Sequence, residues 1–391
     1  IGLVALIVMI AASAAEEPLR RYAEDQANSA LPGFHVTIGA LALHPLTLSA
    51  DFREVAVRQN IHPEPPLVSI PIVTADARLA PLFSGTVGAD VHVETPAFTL
   101  TKKQLDGLFR QRPKEDGEDR KPWQDLLHVA MPFRGTFSLK NGHLIYAAGT
   151  PNADPLRIER IDVDVQDITN RLDPQQRYPS KVRAAMLFPD ESHVEVEGRA
   201  DLLAIPLPKV EADFRVDHLQ IRDLLPVVGR YNVQCTAGSL DLHGRVQYSE
   251  ESTVVVIDEL RLQEAKIDYV HSAATKPKED QRAKKVVEKA KEVHQDPTTR
   301  VKVEHGKVLN SEVGFVNKAT EPAYRVFMAD LEMDFDNLSN RLDEGTGVVK
   351  MTGKFMGSGR TEAKGTFRPE KQKPDLDLSV KGYGFTRHPP A

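Results

Sequence analysis

The chain has 391 residues, of which 41% are hydrophobic and 27% charged, with a net charge of −6. That is the composition of an ordered protein, and the length exceeds what one hydrophobic core organises, so several domains or an elongated array are expected. Acids and bases alternate instead of gathering into the basic surface that nucleic acid requires, and the single Cys235 excludes an intrachain disulfide and a four-thiolate metal site.

Residues 1–15 carry no charge. They are short of the roughly twenty residues of a membrane span. The chain begins with Ile, so further residues are expected upstream. Two readings stand: a fragment of a transmembrane anchor, or a signal peptide with Ala12-Ser13-Ala14 as its cleavage site. Residues 16–33 come next as a juxtamembrane helix, in which Leu19, Tyr22, Ala23, Gln26, Ala27 and Ala30 share one face and Pro32-Gly33 forms the stop. Arg20 and Arg21, beside the proposed membrane, favour a cytoplasmic flank and so oppose export of the β-rich remainder.

From residue 34 the period is two, which predicts strands with one apolar and one wet face. Residues 34–109 form an N-terminal β-domain with Val36/Ile38/Ala40, Leu46/Leu48/Ala50/Phe52 and Val87/Ala89/Val91/Val93. Residues 110–122 are a charged linker. Residues 123–275 form a first β-repeat with Phe133/Gly135/Phe137/Leu139, Val182/Ala184/Met186/Phe188, Val210/Ala212/Phe214/Val216, Leu240/Leu242 and Val254/Val256. Residues 276–297 read as a charged surface helix between Pro277 and Pro297, with Ala283, Val286, Val287, Ala290 and Val293 as a narrow stripe. Residues 298–391 form a second β-repeat with Tyr324/Val326/Met328, Met351/Gly353/Phe355 and Leu376/Leu378/Val380.

The repeat is explicit. The stretch from Ile161 to Asp173 aligns without gaps on that from Leu331 to Asp343, and Asn-Arg-Leu-Asp is identical in both. Upstream, the six residues from Leu139 resemble the six from Val303; downstream, Val194 to Gly198 resembles Thr361 to Gly365. Repeated β-units of this kind stack in a quasi-linear array. Asn170 and Asn340 are expected at turns, where Asn tolerates left-handed geometry.

No nucleophile elbow, phosphate loop, dinucleotide fingerprint or zinc motif is present, and the thirteen His lie singly. Asp330, Glu332, Asp334 and Asp336 at spacing two could be imagined to hold calcium, but the Gly-centred turn and distant Glu of a calcium loop are lacking, and a solvated strand face is the simpler account. The expectation is a non-enzymatic protein without metal or cofactor.

The sequence resembles the AsmA-like family of bacterial envelope proteins. The resemblance rests on the apolar start, on Asn28-Ser-Ala-Leu-Pro-Gly-Phe-His-Val-Thr-Ile-Gly39 followed by Leu-His-Pro-Leu-Thr-Leu, on Leu67 to Leu79, Pro81 to Gly85 and Glu94-Thr-Pro96, and on Gly306 to Phe385 with Asn337-Leu-Ser-Asn340 and Lys364-Gly365. It implies a mainly β fold, an elongated, curled antiparallel sheet or β-groove with an N-terminal membrane-proximal helix and one inserted helix. It also implies a phospholipid conduit between inner and outer membrane, held by a single pass in the inner membrane with its bulk in the periplasm. Phospholipid, membrane and other envelope proteins are the implied partners, and nucleic acid is not among them. The candidate groove residues are Val163, Val165, Phe214, Val216, Leu240, Leu242, Met333, Phe335 and Phe355. The same alternation equally serves a closed β-sandwich core, in which case the protein would be a structural or scaffolding component of the envelope.

Overall fold

In a computed structural model the chain is mainly β, 65% strand and 15% helix. The structure describes residues 2–78, 85–110, 132–149, 154–171, 176–205, 207–277, 279–282, 298–341, 344–368 and 375–384. The chain folds as two compact units. The first comprises Ile1–Gly149, Arg157–Pro189 and Glu195–Glu211, and the second comprises Thr150–Leu156, Asp190–Val194 and Ala212–Ala391.

The first unit opens with helix α1 (Gly2–Ala30), which passes Pro18 without a break, and continues through β1 (Phe34–His44), β2 (Ser49–Gln59), β3 (Val68–Arg78), β4 (Val87–Glu94), β5 (Ala97–Thr101), α2 (Lys102–Arg110), β6 (Phe133–Ala147), β7 (Leu156–Thr169), β8 (Ser180–Leu187) and β9 (His193–Asp201). Leu46 and Leu48, expected to start a strand, lie instead in the turn before β2, exposed to 80% and 38%. The reason is local: Thr47 donates its backbone N–H to His44 O and its hydroxyl to the same carbonyl, which closes a turn around Pro45.

Helix α1 covers the edge of β1 with polar side chains, not with its apolar stripe. Asn28 donates to Val36 O (2.9 Å) and accepts from Val36 N (2.7 Å), Glu24 accepts from Ile38 N (3.2 Å), Arg20 donates to Ile38 O (2.7 Å) and Glu16 accepts from Leu43 N (3.0 Å). Residues 16, 20, 24 and 28 recur every four positions along one helical face, so the helix satisfies edge amides and carbonyls that a further strand would otherwise take. Leu19 and Tyr22 of the expected stripe are left exposed, at 43% and 62%. Arg20 thus has a structural task, the junction of Glu17, Glu24 and the β1 backbone. Hydrogen bonds from Arg20, then Arg21, hold Glu17 down at about 2 from 4.5. With the folded value below the unfolded one, this contribution is complete above pH 4.5 and is lost as pH falls toward 2. The urea midpoints of wild type and Glu17→Gln are therefore expected to differ at pH 6 and to converge only as pH falls to about 2; equal midpoints at pH 6 would refute the linkage.

The second unit contains β10 (Lys209–Gln220) from Ala212 onward, a run of 3-10 turns around α3 (Leu225–Val228), then β11 (Val233–Tyr248), β12 (Thr253–His271), β13 (Thr299–Asn317), β14 (Tyr324–Ser339), β15 (Gly347–Phe355), β16 (Gly359–Arg368) and β17 (Asp375–Tyr383). The pairing is mixed, which modifies the expected antiparallel sheet. Hairpin neighbours are antiparallel, but β6 runs parallel to both β4 and β5, and β13 runs parallel to β12. Parallel neighbours need a connection of a dozen residues or more. The two stretches that interrupt the period lie in the sequence between these parallel partners. Of the 110–122 linker only Arg110 is described, at the end of α2; of the 276–297 helix, Lys276, Pro277 and residues 279–282 are helical, and the expected apolar stripe lies outside the described residues. Glu279 fastens that helix start, accepting from Asn232 Nδ2 (2.5 Å) and contacting His271 Nδ1 (2.6 Å).

The repeat holds at the level of single hydrogen bonds. Both long matched segments are strands, β7 and β14. Asn170 Oδ1 accepts from Phe133 N and Asn340 Oδ1 from Val301 N, each at 2.7 Å; Thr169 and Ser339 hydroxyls accept from the N–H groups of Arg171 and Arg341. These Asn act through their side chains. The left-handed residues are instead Asp167 (φ 60) and Asn337 (φ 55), three positions earlier. Downstream, Asp164 pairs with Arg183 and Val165 with Val182, as Asp334 pairs with Lys350 and Phe335 with Val349. The upstream alignment needs correction. Asn141 (φ 55) donates its N–H to Asp162, the counterpart of Glu332, and Glu332 accepts from the N–H of Asn310 (φ 45). The counterpart of Asn141 is therefore Asn310, not His305, because an added bulge in the second copy shifts the register. Asn340→Ala, which loses bonds to Val301 N and Thr299 O, is expected to lower stability by about 1–3 kcal/mol. Chemical denaturation measures this, and a change below roughly 0.5 kcal/mol would refute the capping role.

Thr95 (φ 49) and Glu264 (φ 51) add a third matched pair, on β-segments next to Asn141 and Asn310. Left-handed positions on neighbouring strands make a crease of bulges in each copy. In the second unit it is packed by small residues: Ser311 accepts from Ala265 N at 3.0 Å, with Ala265 at 0% and Ser311 at 2% exposure. Bulges bend strands and strengthen their twist, so these positions bend the β-structure of each copy.

Candidate apolar face

Residues paired in register project from the same side of a sheet. In the second unit this builds two apolar rows across β11–β17. One runs Leu240, Leu262, Val308, Met333, Met351, Ala363 and Val380; the next runs Leu242, Leu260, Gly306, Phe335, Val349, Gly365 and Leu378. Of the candidate groove residues, Leu240 shares a row with Met333 and Leu242 with Phe335. Phe214 joins them, because its ring lies 3.0 Å from where a Cβ on Gly244 would stand. Val216 comes after Phe214 on the same side of β10, half-buried. Phe355 sits four residues beyond Met351 on the same side of β15, 37% exposed. Val163 and Val165 belong to the first unit, opposite Ala184 and Val182, with Val165 buried. Leu262, Val308, Val349, Met351, Leu378 and Val380 complete the rows and were not among the candidates, although the alternation Val349/Met351 and Leu378/Val380 points to them.

The face is closed at one end and open at the other. Ile221 and Val228, from the turns after β10, pack with Leu240 and Leu262 around buried Cys235 and Ala265. Burial pushes the Cys235 thiol up from its ordinary value. Here the side chains are core. Farther along, Met333, Phe335, Val349 and Met351 are only half-buried, and Leu378 and Val380 are each 59% exposed.

The reverse side is charged. Asp241, Arg261, Lys307, Asp334, Lys350 and Lys364 form one in-register row, in which Asp334 faces a lysine on each side. His305 contacts Asp336 at 2.8 Å. The four acids of β14 are engaged separately: Glu332 by the Asn310 N–H, Asp330 by Lys354 at 2.8 Å, and the other two as above. Among the described residues no group of three or more His, Cys, Asp or Glu could hold a metal.

In the first unit two comparable rows cross β1–β6: Leu41, Phe52, Val73, Val93, Leu139, and Leu43, Ala50, Ala75, Val91, Phe137. Where the second copy has Gly306 and Phe335, the corrected register gives the first copy Phe137 and Val165. The aromatic ring is on the other strand in the first copy, and a valine stands where the second copy has that ring.

Comparison with known proteins found no matching family, no matching curated protein and no matching solved structure.

Proposed function

We propose that the protein is a non-enzymatic phospholipid conduit of the bacterial envelope, as its resemblance to the AsmA-like family implies. The observation that carries this reading is the pair of apolar rows across β11–β17, in which Met333, Phe335, Val349 and Met351 are half-buried and Leu378 and Val380 exposed, although Gly306, Val308, Ala363 and Gly365 between them are buried, backed by a charged row on the other side. A closed sandwich would bury such residues against a second layer. Left half-exposed, they offer a wall on which acyl chains lie, at about 0.8 kcal/mol per buried methylene, while headgroups remain in water. Passage along such a wall needs no covalent step. In this reading α1 ties the first unit to the inner membrane through its uncharged start and the bulk lies in the periplasm. No described helix is long and apolar enough to cross a membrane.

The experiment is lipid mass spectrometry of the full chain purified from membranes. The conduit predicts co-purifying phospholipid in stoichiometric amounts. A lipid-free preparation that also takes up none from vesicles would favour the scaffold.

A further inference from the structure

At one end of the first unit the apolar face is hollowed. A recess of about 460 Å³ is lined by Leu43, Leu48, Ala50, Ala75, Ala77 and Ala89 among others. Its floor lies where β1 ends, β2 begins, β3 ends and β4 begins, and it is made of paired small residues, Ala50 opposite Ala75 and Ala77 opposite Ala89. Bulky side chains resume one or two strands farther, at Val91 and Phe137 in the row of Leu43, Ala50 and Ala75. The recess is therefore the start of the apolar row, with the side chains cut back to methyl groups.

Its position is set by α1. The helix runs antiparallel to β1, from Asn28 at Val36 to Glu16 at Leu43, so Glu16 is hydrogen-bonded to a residue that lines the recess. The uncharged Gly2–Ala15 portion of the same helix continues past this end for about 21 Å.

We infer that this alanine-floored recess is the entrance through which a lipid acyl chain passes from the membrane onto the apolar face. The inference rests on the conduit reading and commits to one source, the bilayer that receives the uncharged start of α1. Methyl-sized side chains leave room for a chain to leave the bilayer beside the helix without crossing open water.

The test uses the full chain with vesicles of phosphatidylethanolamine and phosphatidylglycerol carrying a trace of fluorescent-tailed phosphatidylethanolamine. Exposed Ala77 is changed to Cys and loaded with a long-chain alkyl methanethiosulfonate adduct; the native Cys235 is buried and stays unlabelled. The adduct is expected to slow uptake from vesicles on the order of tenfold, and reductant to restore it, while a monomeric fluorescent fatty acid supplied in solution still binds to the same final amount. Ala75→Leu should slow uptake in the same direction without any label. Adducted protein that loads from vesicles at the unlabelled rate, or that loses binding of the dissolved fatty acid as well, overturns the entrance. Wild-type protein that binds neither probe overturns the conduit reading itself.

Discussion

Phe335→Glu is expected to cut phospholipid passage roughly tenfold or more while leaving the sheet folded. Phe335 lies in the middle of an apolar row, with Gly306 and Val349 as its paired neighbours, and is half-buried. A carboxylate there would have to stay hydrated on the wall where acyl chains slide, and each chain passing it would cross a charged gap. Because water still reaches the position, the charge need not unfold the strand. Lys350→Ala, one residue from Val349 but on the charged side, is the control and should leave passage unchanged. Fluorescent-lipid transfer between vesicles gives the rate; circular dichroism and melting give the fold. A folded Phe335→Glu protein that transfers at the wild-type rate would remove the conduit reading for β14. An unfolded one would mark Phe335 as closed core.

Gly306→Phe is expected to destabilise the second unit strongly, and addition of Phe335→Val to recover most of the loss. The Phe335 ring lies directly on Gly306, so a Cβ there would stand 2.0 Å from the ring Cζ. Even Gly306→Ala forces the ring aside, at about 1–3 kcal/mol. By the offset of Asn141 to Asn310 the first copy has Phe137 and Val165 at these two positions, the side-chain set that the double variant recreates. A coupling of about 1–3 kcal/mol is expected from a double-mutant cycle in urea. Additive effects would show that the Phe335 ring does not pack on Gly306.

Much of the fold was legible in the residues. Alternation at Tyr324/Val326/Met328, Met351/Gly353/Phe355 and Leu376/Leu378/Val380 placed strands with one apolar and one wet side. The identity of Asn170-Arg-Leu-Asp and Asn340-Arg-Leu-Asp marked equivalent strand ends, which the structure shows as equivalent caps. The apolar face was legible only in part: Met333, Phe335, Leu242 and Phe214 fall on it, whereas Leu240 packs into the closed end and the neighbours Leu378 and Val380 were not among the candidates.

By itself the sequence determined what is local: side-chain period, turn chemistry and repeat spacing, because each depends on residues a few positions apart. The tertiary structure decided the rest, because it depends on partners far along the chain. Parallel pairing of β12 with β13 cannot be read from alternation, which is the same for either direction. Left-handed bulges at Asn141 and Asn310 are held by hydrogen bonds across strands to Asp162 and Glu332, and Thr95 and Glu264 adopt the same geometry without being residue types that favour it. The docking face of α1 is its polar side, since the unpaired backbone of β1 offered hydrogen bonds that an apolar stripe could not make.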